Sequence, residues 1–258
     1  MTREITVFYR FLTGVFARLR RCTPVIPDAM SSRDERKQQT RQTLLQAALT
    51  LSLQGRSFAS VSLREVTREA GVVPTAFYRH FSSMDELGVA LVDEVCLHLR
   101  RLLRDERVKA QGAGHIALQR SVMLFLLYVQ QESGRFEFLV RERLGGSPPV
   151  RQAIQQEIHH FVSDLANDFR LFPDMQNLPS SDLMMIAHLV INTAITLCGE
   201  ILMVPADQTQ LKYELGLQAV KQMRLIFVGA MHWQPEKGTQ LSGRTAEVLS
   251  PGVAGPSA

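Results

Sequence analysis

Apolar residues recur at three- and four-residue steps along nearly the whole chain between positions 32 and 233, and this spacing predicts helix after helix. In 36–53, Leu44, Ala47, Ala48 and Leu51 form one stripe, which Gly55 ends. Short helices follow at 63–70 and 74–81. A long one at 84–107 carries Leu87, Leu91, Val95, Leu99 and Leu102 on one side. Further helices are predicted at 116–131, 136–144, 150–169, 182–203 and 208–233. A loop at 111–114, Gly134, the run 145–149, Pro173, Pro179 and Pro205 separate them. Alternating strand patterns bounded by turns are absent, so the predicted fold class is all-α. A three-helix N-terminal unit containing a helix-turn-helix precedes a larger helical body. The most apolar stretch, 183–204, is interrupted by His188, Asn192 and Glu200, which favours a buried core helix over a membrane span.

The two ends differ from the rest. In 1–30, Ile5, Phe8, Leu12, Val15, Phe16 and Leu19 share one helical face until Pro24 and Pro27, and the segment is basic. It can be a membrane-surface helix. The favoured alternative is that Met30 is the true start and 1–29 is not translated. The segment after Pro235, rich in Gly, Ser and Pro, is expected to be disordered. The expected organisation is therefore an extension over 1–31, a DNA-binding unit over 32–83, an effector-binding and dimerisation unit over 84–233, and a tail over 234–258.

A chain of 258 residues buries enough surface to fold without disulfides. Its three cysteines are odd in number, widely spaced and without a CxxC pair, which argues against a disulfide framework or a zinc site and fits a reducing, cytoplasmic setting. The net charge of +4 is small, but its distribution is not even. Residues 31–81 hold eight basic against four acidic side chains, whereas 101–258 hold fifteen of each. An anionic partner for the N-terminal part follows from that asymmetry.

The stretch 61–87, VSLREVTREAGVVPTAFYRHFSSMDEL, carries the most information. Ser62 with Glu65 is a capping box, and Val61 with Val66 its hydrophobic staple. Gly71 stands where a helix needs a left-handed end, and Pro74 suits a first helical position. Ser83 with Glu86 reads as a second capping box. Phe77 and Phe81, one turn apart, point inward and leave Thr75, Ala76, Tyr78, Arg79 and His80 outward. Such a helix-turn-helix suits a DNA major groove. Arg79 can read guanine, Thr75 and Ala76 can touch thymine methyls, and Tyr78 and His80 can reach phosphates or bases. Lys37, Arg41, Ser62 and Arg64 are the candidate backbone contacts, with helix-start N–H groups behind Ser62 and Ser83. Double-stranded operator DNA is the implied partner. A plain helical hairpin with a solvated face is the competing reading. The agreement of caps, turn, apolar pins and local charge weighs against it.

These residues resemble the TetR family of bacterial one-component repressors. The resemblance rests on Ala70-Gly71-Val72 and Phe77-Tyr78-Arg79-His80-Phe81 and covers 36–87. Val73-Pro74 stands where Ser-Lys is common, and Met84 where a Lys often follows. Those departures, with 56–60 (RSFAS), Pro74-Thr75, 84–88 (MDELG) and Arg141-Glu142-Arg143, resemble the FabR/DesT branch over most of 32–170. That resemblance implies repression of unsaturated fatty-acid synthesis genes, a long-chain acyl-CoA or related thioester as effector, no cofactor, and a homodimer formed by the last two long helices. Two reading heads about 34 Å apart also fit the length of DNA a dimer reads. Effector binding is expected to shift the long helix at 84–107 and so change the spacing of the heads.

In the C-terminal half the candidate pocket residues are Phe125, Val129, Phe138, Arg141, Phe161, Met185 and Leu189, and the implied ligand is small, apolar and anionic. Core packing is the competing reading for each apolar one. Arg141 and Arg143 can meet a ligand anion or pair with Glu137 or Glu142 at the surface, the latter favoured. His188 and Asn192, four apart, read as a satisfied buried pair or an interface contact. Glu157, His159 and His160 match no metal spacing. No P-loop, GxGxxG, GxSxG or HExxH occurs, and Cys96 and Cys198 read as inert core residues, so no enzymatic activity is predicted. Two rival readings remain: the same fold controlling an efflux or xenobiotic-response operon, and a membrane-peripheral helical adaptor acting through 5–19, which requires residues 1–30.

Overall fold

A computed structural model describes residues 32–109, 114–205 and 207–234. The expectations for 1–30, for the loop at 111–113 and for the tail beyond 234 lie outside the described residues. Among the described residues there are nine α-helices and no strand: α1 (Ser32–Ser52), α2 (Leu63–Glu69), α3 (Pro74–Phe77), α4 (Met84–Lys109), α5 (Gly114–Gln131), α6 (Ser133–Gly145), α7 (Pro148–Phe169), α8 (Ser180–Met203) and α9 (Thr209–Met231). A single 3-10 turn, Phe58–Ser60, precedes α2 and was not evident in the apolar spacing.

Helices α1 to α3 and the start of α4 make the head. Leu44, Ala48, Phe58, Val66, Phe77, Phe81, Leu87 and Val92 fill its interior. That interior does not close on itself. Phe138 of α6 and Val150 and Ile154 of α7 belong to the same cluster, so head and body share packed surface. Helix α4 joins the two, giving Leu91, Val92 and Cys96 to the head core and Val95 and Leu99 to the body core. In the body, α4 packs on α5 and α7, α7 on α8, α8 on α9, and α9 back on α5.

Helix α8 is long and apolar enough to cross a membrane by length and composition. One face of it, Leu183, Ile186, Ala187, Val190, Leu197, Cys198 and Ile201, lies in the body core. His188, Asn192 and Glu200 point to solvent from the other side. The expected buried His188–Asn192 pair is therefore not formed within the chain. The Cys96 and Cys198 thiols are buried, which pushes each up to about 12 and keeps the nucleophilic thiolate unpopulated at neutral pH.

Candidate nucleic-acid interface

Ser62 starts α2. Its hydroxyl accepts from the Glu65 amide at 3.3 Å, and the Glu65 carboxylate accepts from the Ser62 amide at 2.9 Å and hydroxyl at 2.8 Å. The capping box is thus formed as expected, with Val61 and Val66 both buried beside it. The same contacts correct the expectation that Ser62 is a phosphate ligand: its amide and hydroxyl are already committed to Glu65. A partner that spacing did not reveal completes the cap. Arg56 donates to Glu65 at 2.8 Å. Together the Arg56 guanidinium and the Ser62 donors hold the Glu65 carboxyl down at about 2.

Gly71 turns the chain with φ +66°, a conformation that only glycine adopts freely. The Val72 amide reaches back to the Thr67 carbonyl at 2.9 Å, closing α2 in the manner of a Schellman end. Pro74 then opens α3. This helix is shorter than the spacing predicts: it ends at Phe77, and residues 78–80 continue as tight turns, with the His80 amide on the Phe77 carbonyl. Buried Phe77 and Phe81, with ring centroids 5.7 Å apart, pin this segment to the head core. Thr75, Tyr78 and Arg79 are exposed, whereas Ala76 and His80 are half-buried. Tyr78 is 63% exposed although its ring meets Phe77 edge-on.

The second capping box is displaced by one residue. Ser83 accepts from the Glu86 amide, but the Glu86 carboxylate returns to the amide and hydroxyl of Ser82, both at 2.6 Å. The amide that a carboxylate of the chain occupies here is that of Ser82, one residue before the cap.

Charge gathers on one side of the reading segment. The Arg41 guanidinium lies 5.1 Å from the Phe81 ring centroid. Burial, and then the charges of Lys37, Arg41 and Arg79, push His80 below its ordinary value near 6.5. Lys37, Arg41 and Arg79 thus each lie close enough to act on His80. Arg64 is exposed on α2, and no contact draws it into that group. Val73, not singled out by sequence reasoning, is 64% exposed at the turn before α3. Its only signal was that it departs from the residue expected there.

Two family models match the chain in the same order as its parts. One, "Bacterial regulatory proteins, tetR family", covers residues 44–91, from α1 through the turn into α4. The other, "Tetracyclin repressor-like, C-terminal domain", covers 115–228. The chain belongs to the TetR family. It is a transcriptional regulator of that family, whose members are non-enzymatic, bind operator DNA and act as dimers. Solved structures share the fold. A protein from Syntrophomonas wolfei described as a TetR-family regulator is 16% identical with a TM-score of 0.64, over 74% of this chain and 96% of that one. The fatty acid degradation regulator FadR from Bacillus halodurans is 14% identical with a TM-score of 0.59, over 74% and 95%. FadR from Bacillus subtilis, solved with stearoyl-CoA, is 13% identical with a TM-score of 0.57, over 73% and 98%.

The seven pocket residues expected in this TetR body are not gathered in one place. Phe125 and Val129 lie on α5 within the body core, where Phe125 meets Phe136 edge-on at 6.0 Å. Phe161 adjoins both cores, and Phe138 belongs to the head, edge-on to Phe58 at 5.7 Å. Met185 and Leu189 correct the expectation most clearly. They are 40% and 51% exposed, on an outer groove of about 220 Å³ between α8 and α9, beside Leu225 and Trp233. Arg141 is also reassigned. Its guanidinium donates to the carbonyls of Ser52 and Arg56 and lies 3.5 Å from Glu137. The favoured Glu137 pairing is present, but the main contacts are with main chain of the head. Glu142 is not a surface partner: it is 2% exposed.

Proposed function

We propose that this TetR-family regulator is a homodimeric repressor that binds operator DNA with the segment 74–80 of each subunit in the major groove, and that a long-chain fatty acyl-CoA or related thioester sets its occupancy. The observation that carries the DNA reading is the cationic group Lys37, Arg41 and Arg79 around a segment pinned by Phe77 and Phe81, with Thr75, Tyr78 and Val73 exposed beside it. Pinned side chains can read bases, because their positions are fixed before DNA arrives. Arg64 is the remaining candidate phosphate contact, on the neighbouring helix.

Dimerisation is assigned to the outer face of α8 and α9. Met185, Leu189, Leu225, Val228 and Trp233 expose apolar surface there, and a second copy would cover it. The effector reading is supported by the two FadR structures of the same fold, one carrying stearoyl-CoA. The narrower assignment, repression of unsaturated fatty-acid synthesis in the FabR/DesT manner, rests on the motif resemblance. A cytoplasmic location fits operator binding.

A gel shift on the DNA upstream of its own gene, with stearoyl-CoA and oleoyl-CoA added separately, tests this. Retarded DNA whose fraction differs between the two acyl-CoAs is the expected result. Retardation indifferent to both would leave a repressor of another class, such as one controlling an efflux operon. No sequence-specific retardation would overturn the reading altogether.

A further inference from the structure

Helix α6 holds the head through main-chain contacts that the DNA-binding reading does not use. The segments 56–60 and 141–143, far apart in sequence, meet in space. Arg141 donates to the Ser52 carbonyl at 3.1 Å and the Arg56 carbonyl at 2.7 Å. Its neighbour Glu142 accepts from the Phe58 amide at 3.0 Å, with the Ser57 hydroxyl 3.5 Å away. One cation and one anion therefore grip the same loop, the cation by its carbonyls and the anion by its amide. Such a pair holds the loop at separate main-chain points, the Ser52 and Arg56 carbonyls and the Phe58 amide, and so limits its rotation as well as its distance. Glu142 is buried, 2% exposed, so losing its donors would strand a buried charge.

The rest of the α6 face supports the grip. Phe138, three and four positions before the pair, packs edge-on against Phe58. Gly134, a turn earlier, lets Leu53 approach so closely that a Cβ would lie 2.7 Å from its Cδ1. At the N-terminal end Arg135 donates to Glu94 of α4 at 2.6 Å, and Glu94 accepts from Gln42 of α1 at 3.2 Å. The gripped loop in turn places Arg56, whose side chain holds Glu65, the capping carboxylate of α2. A continuous set of hydrogen bonds thus runs from the body helix α6 to the first helix of the helix-turn-helix.

We propose that Arg141 and Glu142 are positioning residues for DNA recognition: they set the angle at which the body presents the head, with Arg56 and Glu65 as the next link. Neither touches DNA. They act by keeping the reading segment in one orientation, so that specific contacts are made without a search among tilts. Non-specific binding, which needs only positive charge near phosphate, does not depend on them.

The test uses the full-length protein and an operator selected from random duplexes by the wild type. The variants are Arg141→Met, Glu142→Ala, Glu142→Gln, Arg56→Met and the double variant Arg56→Met/Arg141→Met. Arg141→Met and Glu142→Ala should each weaken operator binding about tenfold or more, from the worth of charged hydrogen bonds, and leave random-duplex binding within about twofold. Amide hydrogen exchange should quicken at 57–61 and 63–69 and stay unchanged in α8 and α9. Glu142→Gln, which keeps an acceptor for the Phe58 amide, should restore most of the operator affinity. The double variant should lose no more than the worse single one, because the links act in series. Unchanged operator affinity, equal losses on both duplexes, or multiplied losses in the double variant would each overturn the proposal. Should Glu142→Ala fail to fold, Arg141→Lys, which retains charge but not the two-carbonyl grip, carries the same comparison.

Discussion

The guanidinium of Arg41 lies over the ring of Phe81, 5.1 Å from its centroid. The pair joins a cation of α1 to the residue that pins the end of the reading segment, so the charge is held in place rather than waving on a free side chain. A cation over an aromatic face at an exposed site contributes about 0.5–1 kcal/mol. Arg41→Ala is expected to weaken operator and random DNA by similar factors and to reduce the slope of log K against log salt by about one. Arg79→Ala should differ in kind, costing about 1–3 kcal/mol on operator and little on random DNA if it contacts a base. Fluorescence anisotropy titrations over a salt series distinguish the two, and an unchanged salt slope for Arg41→Ala would remove it from the phosphate contacts.

With His80 against a phosphate of the operator, binding is expected to depend on pH. Burial lowers its pKa first, and the charges of Lys37, Arg41 and Arg79 lower it further, so the free protein holds it neutral below the ordinary range. A phosphate placed against it favours the protonated form, which raises the pKa in the complex. Binding therefore takes up a proton, and affinity should rise as pH falls from 8 through the region near 6.5. The effect on folding has the opposite sign. The folded pKa lies below the unfolded one, so this group's contribution to stability erodes as pH falls through the unfolded value. Calorimetry in buffers of different ionisation heat should show proton uptake in the wild type and less in His80→Asn. Equal uptake by both proteins would place the proton elsewhere.

Acid should loosen the head through Glu65. Its folded pKa, held near 2 by Arg56 and Ser62, is below the ordinary value of 4.5. A carboxylate depressed in this way stabilises the fold above the unfolded value and loses that contribution as pH falls from about 4.5 towards 2. Melting temperatures across that interval should fall more steeply in the wild type than in Glu65→Gln. Arg56→Met should move the loss to higher pH, since the largest cause of the depression is gone. A wild-type curve parallel to that of Glu65→Gln would contradict the assignment.

What the sequence makes legible, and what it hides, divides by range of interaction. The Ser62–Glu65 cap, the left-handed Gly71, the Pro74 helix start and the buried Phe77 and Phe81 are local, each settled by residues within a few positions, and the structure reproduces them. The length of α3 was overestimated because a four-residue helix followed by tight turns keeps the same apolar spacing as a longer helix. Arg56 escapes sequence reasoning because no helical spacing links it to Glu65, nine residues on. The Arg141–Glu137 pair was legible, but the Arg141 and Glu142 contacts to the head were not, because their partners are main-chain groups far along the chain, which leave no mark in residue identity. Met185 and Leu189 looked like pocket residues for a related reason. An apolar side chain on an outer helix face has the same composition as one lining a cavity, and only packing separates them.

The adjacent glycines 145 and 146 should respond oppositely to a methyl group. A Cβ at Gly146 would sit 2.6 Å from Glu142 Oε2 and 2.7 Å from the Glu142 carbonyl oxygen. The side chain could swing away, but only by leaving the Phe58 amide, and the carbonyl belongs to the C-terminal turn of α6, where it already accepts from the Gly146 amide at 3.0 Å. Gly146→Ala therefore either shifts the end of α6 or dislodges the buried carboxylate, and forced overpacking of this kind costs about 1–3 kcal/mol. A Cβ at Gly145 meets nothing within 4 Å, and that residue is helical. Gly145→Ala should be neutral or stabilising by about 0.5–1 kcal/mol, since alanine suits a helix better than glycine. Urea denaturation of the two variants measures the difference directly. Equal stabilities would mean that the Glu142 end of α6 yields to the added methyl at no cost, and that the close approach seen there does not constrain residue 146.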